Sequence, residues 1–165
     1  MHKRLLALLV IPFMLFIGGC GSESEVRLTP EEYAEAIDSA WCEYRDEGYL
    51  AFLNISVETG DDFFKMRERK DDIEAVCDKM DEALDKFLEI NPPAEYQYLH
   101  DNMRASIEDE KRWNEYRRKA FSAETEEEAD RYFDKIAEEV YAADPNTTFP
   151  HLYLELYKKV NDMEY

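Results

Sequence analysis

From Thr29 onward, apolar residues recur at intervals of three and four, the spacing that lines one face of a helix. Tyr33, Ile37, Ala40, Trp41 and Tyr44 form the first seam. Thr29 and Glu32 provide a capping box before it, with Pro30 in the first turn, where a missing amide proton is tolerated. The pattern predicts a helix from about Thr29 to Ser56, bent at Gly48, and a turn at Glu58-Thr59-Gly60-Asp61. A second helix over 61–90 places Phe63, Met66, Ile73, Val76, Cys77, Met80, Leu84 and Phe87 on one stripe. Asn91-Pro92-Pro93 ends it, because the residue before a proline avoids the helical region. A third helix over 93–121 carries Tyr96, Leu99, Met103, Ile107, Trp113 and Phe121. Thr125 with Glu128 repeats the capping box ahead of a fourth helix to about Ala143, and Pro150 opens a fifth bearing Leu152, Tyr153, Leu156, Tyr157 and Val160.

Glycine is scarce after position 20, limited to Gly21, Gly48 and Gly60, which leaves an all-β domain without its turn residues. Helices of this length span roughly 40 to 45 Å and are joined by short turns, so neighbours are expected to run in opposite directions. The predicted fold class is all-α, an antiparallel up-and-down helical bundle with three long helices plus two shorter C-terminal helices. The last two either make a broken fourth member or a hairpin over one end. Glu82 with Lys86, Glu108 with Arg112, Glu115 with Lys119, and Glu155 with Lys159 are spaced to pair along exposed helix faces.

The first residues have a different pattern. Lys3 and Arg4 precede an apolar run from Leu5 to Ile17, followed by Gly18, Gly19 and Cys20. Thirteen apolar residues cover only about 20 Å as a helix, short of the ~30 Å hydrocarbon layer, so the run reads as a secretory signal rather than a span. Ile17-Gly18-Gly19-Cys20 resembles the lipobox of bacterial prelipoproteins, with Ile17 where leucine is usual and Gly18 where alanine or serine is usual. The resemblance implies lipidation of the Cys20 thiol and cleavage between Gly19 and Cys20 by signal peptidase II. The organisation that follows is a signal peptide over 1–19, a lipidated tether over 20–28 and a helical domain over 29–165. The eight residues from Gly21 to Leu28 reach about 25 to 30 Å when extended, keeping the domain near the membrane face.

Charge sharpens this picture. Twenty basic against 39 acidic side chains give −19, and loss of the signal removes Lys3 and Arg4 but no acid, leaving −21. Such a chain repels phosphate backbones and anionic headgroups, which argues against nucleic acid as a partner and leaves attachment to the acyl chains. Aromatic residues make up 13%, far above an acidic disordered tail, so a packed core is expected.

Cys42 and Cys77 lie at equal distances from the Thr59-Gly60 turn. In an antiparallel hairpin of an exported protein, that symmetry predicts a disulfide, worth roughly 3.5 to 4 kcal/mol by chain entropy. No cofactor motif, phosphate loop, nucleophile elbow or Cys-x-x-Cys occurs, and no metal-ligand spacing surrounds His100 or His151. His100 reads as a hydrogen-bonded edge residue and His151 as the local partner of Glu155. The acidic runs read as solvated faces. Tyr33, Tyr44, Tyr96 and Tyr132 fall on core stripes, whereas Tyr98, Tyr116 and Tyr141 fall off them and form a candidate partner surface. The sequence thus predicts a membrane-anchored, extracytoplasmic, non-enzymatic lipoprotein that binds another exported protein or a cationic ligand. Alternatives are a cell-envelope enzyme using paired carboxylates and a weak divalent-cation-binding lipoprotein.

Overall fold

A computed structural model describes residues 27–142 and 145–161, and these are helical, with no strand among them. The predicted signal segment, Gly19, Cys20 and most of the tether lie outside the described residues. Helix α1 (Pro30–Cys42) begins on the expected capping box: the Thr29 hydroxyl accepts from the Glu32 amide, and the Glu32 carboxylate accepts from the Thr29 amide at 2.9 Å. A π-helical segment, Glu43–Tyr49, then leads into α2 (Leu50–Thr59), with the Leu50 amide donating to the Arg45 carbonyl five residues back. The predicted bend is therefore a change of helical pitch. Gly48 is needed in it, since a Cβ there would stand 2.3 Å from Met80 Cγ and 3.4 Å from Met80 Cα.

Gly60 ends α2 in the left-handed region at φ 66°, and the Asp61 amide returns to the Ser56 carbonyl at 3.0 Å. The predicted second helix is broken: a short α3 (Phe63–Glu68) capped by Asp62 stops at Arg69, and α4 runs Lys70–Glu89. Helix α5 (Gln97–Ser122) starts a turn later than expected, because residues after Pro93 first form a turn closed by the Tyr96 amide on the Pro93 carbonyl at 3.0 Å. Helix α6 (Glu126–Ala142) and a 3-10 turn (Pro145–Thr147) precede α7 (Phe149–Val160).

Contacts join α4 to α5, α5 to α6, and α7 to both α1 and α5, so the last helix packs on the first and third elements of the pattern. Along α4 and α5 the pairs Arg104–Leu88, Lys111–Asp85 and Arg118–Asp78 step in opposite directions. The core gathers Tyr33, Ile37, Ile73, Leu84, Phe87, Met103, Ile107, Phe149 and Leu156, all essentially inaccessible to solvent. Small residues Ala120, Ala123 and Ala129 allow α5 and α6 to approach closely at the other end. Charge pairing differs from the sequence expectation. Glu115 does pair with Lys119, but Lys86 reaches Glu43 across helices, Glu82 takes Lys79, and Arg112 takes Asp109 and Glu139.

The expected Cys42–Cys77 disulfide is corrected: both thiols are free. The Glu43–Lys86 pair and the Gly48–Met80 contact place the mirror point of the hairpin at about residue 64, within α3 rather than at Gly60. Cys77 is therefore level with Ala51, and Cys42 lies roughly 13 Å away along the axis at ~1.5 Å per residue. Cys42 receives a weak contact from Arg45 at 3.9 Å, while burial pushes the Cys77 thiol up to about 11.

Candidate functional site

The apolar stripe of α5 runs through His100, Met103 and Ile107 and then turns polar at three successive stripe positions, Glu110, Asn114 and Arg117. Glu110 and Arg117 face the π-helical segment, while Asn114 turns to Asp81 on α4. A cavity of about 520 Å³ opens beside that segment, walled by Trp41, Tyr44, Tyr49 and Trp113 and rimmed by Leu50 and Val140. Such a volume suits a small organic ligand. Behind the wall, Phe149 is fully buried and supports it, edge-on to Tyr44 at 5.2 Å and to Phe87 at 5.0 Å. Trp41 stacks on Tyr153 at 4.3 Å, and the Tyr153 hydroxyl donates to Asp38 at 3.0 Å, which locks α7 to α1 behind the wall.

Glu110 is the chemical centre of this cavity. It is 6% exposed, and Tyr44 donates to its Oε2 at 3.0 Å. Among the described residues its other oxygen has no hydrogen-bond partner, yet no buried side-chain polar atom there is unsatisfied, so that oxygen is left to the cavity that Glu110 lines. Desolvation raises the Glu110 pKa, Arg117 and the Tyr44 hydroxyl oppose the rise, and neighbouring Asp109 adds to it. The Tyr44 pKa is also raised, chiefly by burial and next by Glu110.

The cations around the cavity are already engaged. Arg45 forms two bonds to Asp46 at 2.6 and 2.9 Å on the exposed rim. Arg117 donates to Asn114 Oδ1 and lies over the Phe52 ring at 5.7 Å, making no carboxylate contact among the described residues. Asn114 is in turn fixed by its own donation to Asp81 at 2.8 Å. Behind Trp113, its indole N–H donates to Glu139 at 3.1 Å; although desolvation works against ionisation, Arg112, Trp113 and Tyr116 together hold Glu139 below the usual carboxylate range. No protein-family model, curated protein or solved structure matches this chain.

The residues singled out in the sequence mostly lie elsewhere. Tyr98 is 74% exposed near the start of α5, and Tyr116 lies roughly 27 Å along the same helix at ~1.5 Å per residue. Tyr116 is half-buried, stacked on Tyr132 at 6.4 Å with Lys135 over its ring at 5.5 Å, so the two do not form one surface. Tyr141 is on α6, with its side chain outside the described residues. His100 is deeper than an edge residue, 3% exposed and bonded through Nδ1 to the Tyr33 hydroxyl at 3.1 Å; desolvation lowers its pKa, with Arg104 adding and Asp101 opposing. His151 lies 3.8 Å from Glu155, as expected. Among the described residues, no three His, Cys, Asp or Glu side chains converge on a metal-sized position, and no helix is long and apolar enough to cross a membrane. Sequence reasoning missed Glu110. The available signal was an acid on the Met103/Ile107 stripe, and among the described residues Glu110 is the one buried acid.

Proposed function

We propose that this chain is a lipid-anchored, extracytoplasmic binding module, non-enzymatic, whose helices pack as an antiparallel up-and-down bundle around one ligand cavity. The observation that carries the binding role is the aromatic cavity around Glu110, a deeply buried carboxylate with one oxygen left unpartnered. The opposed stepping of ion pairs along α4 and α5 supports the bundle, and the Ile17-Gly18-Gly19-Cys20 pattern supports the anchor. The paired-carboxylate enzyme would need a second acid beside Glu110, and among the described residues the cavity lining has no other.

Native mass spectrometry on the full-length protein, extracted from envelope membranes in mild detergent, tests the binding role. The wild type is expected to retain one small molecule that Leu50→Trp, which fills the cavity mouth, does not. An empty wild type would count against it. Metabolic labelling with palmitate tests the anchor. Label is expected on the wild type and absent from Cys20→Ser, and an unlabelled wild type in the soluble fraction would overturn it.

A further inference from the structure

We infer that the cavity takes an organic cation, an ammonium group carried on an apolar or aromatic body, with Glu110 as counter-ion and Trp41, Tyr44, Tyr49 and Trp113 as walls. This inference rests on the binding-module reading and specifies its ligand class. The walls come first. Indole and phenol faces attract a cation through their quadrupoles, most strongly where water is excluded, and they also cover an apolar body.

Glu110 supplies the charge. A carboxylate this deeply buried needs pairing, and Tyr44 satisfies only one of its oxygens. Arg117 is near enough to favour the ionised form but lies beyond ion-pair distance, its guanidinium committed to Asn114 and the Phe52 ring. A neutral ligand would leave the open oxygen without a charged partner. An anionic ligand would bring like charge toward Glu110 and would have to take Arg45 from Asp46 or Arg117 from Asn114. A cation alone completes the carboxylate without dismantling an existing contact. The surroundings favour the same choice: the chain's net charge of −19 produces a field that gathers cations and repels anions.

The chain contains two tryptophans, and both line the cavity, so intrinsic fluorescence reports on this site. Full-length protein in nanodiscs of neutral lipid is titrated at pH 7.5 with benzyltrimethylammonium, with its uncharged carbon isostere neopentylbenzene, and with phenylacetate. The ammonium probe is expected to saturate with a Kd at least tenfold below the other two. Glu110→Gln is expected to remove that preference while remaining folded, and Arg117→Gln to tighten the ammonium probe several-fold. Equal or tighter binding of phenylacetate or neopentylbenzene, or an ammonium Kd unchanged in Glu110→Gln, overturns the cation assignment and leaves the binding module standing. The absence of a saturable response to all three probes overturns both. Arg117→Gln and the wild-type probe ranking decide the matter even if Glu110→Gln fails to fold.

Discussion

Tyr33 and Tyr44 make the same kind of contact at two levels of the molecule, each hydroxyl meeting a titratable group on α5: His100 at 3.1 Å and Glu110 at 3.0 Å. At the first level α1 is a regular helix, Tyr33 stacks on the partly buried Tyr96 with centroids 5.7 Å apart, and the Tyr33–His100 pair is closed off from solvent. At the second level the backbone is π-helical, and the aromatic groups stand around a cavity instead of filling it. A tyrosine hydroxyl on a buried titratable group is thus packing in one place and a site in the other. The difference comes from helix pitch and from the Phe149 ring that backs Tyr44 rather than from the polar pair itself.

The strongest way to break that contrast is to remove the ring that supports Tyr44 from behind. Phe149→Ala is expected to destabilise the protein by about 3 to 5 kcal/mol, the usual range for deleting a buried phenylalanine, seen as a large fall in denaturation midpoint. Loss of the ammonium preference should accompany it, while the Tyr33 level keeps its packing. Next in size is Gly48→Val. A side chain there collides with Met80, so α4 must move away from the π-helical segment, at about 1 to 3 kcal/mol. If thermal unfolding shows Gly48→Val as stable as the wild type, the close approach of these two elements is not what holds the π pitch.

Much of the helical pattern was legible because it rests on local chemistry. Thr29, Pro30 and Glu32 start α1, Gly60 ends α2, and Asn91-Pro92-Pro93 stops α4, each through groups a few residues apart. Turn symmetry misled at Cys42 and Cys77. The π-helical segment and the break at Arg69 shift the mirror point of the hairpin; Gly48 marks a bend in the first without giving its change of pitch, and no proline or glycine marks the second. Exposure from a helical wheel was equally incomplete for Tyr116, which leaves its own helix face to bond Glu139 on α6. Glu110 was hidden for another reason. Thirty-nine acidic residues make any one carboxylate look like surface, and only its place among Met103, Ile107 and Asn114 distinguishes it.

A smaller effect separates the two tyrosines directly. Tyr33→Phe leaves His100 Nδ1 without a partner in a sealed environment, and about 1 to 3 kcal/mol is expected. Tyr44→Phe also removes a bond to a buried group, but water in the cavity can take its place at Glu110, so about 0.5 to 1.5 kcal/mol is expected. Chemical denaturation of the two variants measures the order. A larger loss for Tyr44→Phe would mean that the cavity is dry and the contrast of sealed and open sites is wrong.

The smallest expected effect is a pH dependence of opposite sign at the two levels. Burial raises the Glu110 pKa above its ordinary 4.5, with Asp109 adding to the shift and Arg117 and the Tyr44 hydroxyl opposing it. The native state therefore binds the proton more tightly than the unfolded chain, and stability at this site is lost as pH rises from about 4.5 through the folded value. His100 shifts downward from 6.5 through burial, with Arg104 adding and Asp101 opposing. Here the unfolded chain binds the proton more tightly, and stability is lost as pH falls below 6.5 through the folded value. Comparing wild type with Glu110→Gln and with His100→Gln at each pH isolates the two contributions from the many exposed carboxylates. On acidification from pH 7, wild type should lose ground against His100→Gln below 6.5 and gain ground against Glu110→Gln as the raised carboxyl takes up its proton. If both differences move in the same direction, one of the two sites is not solvated as described. A flat Glu110→Gln difference would mean that this carboxylate is as well solvated as an exposed one.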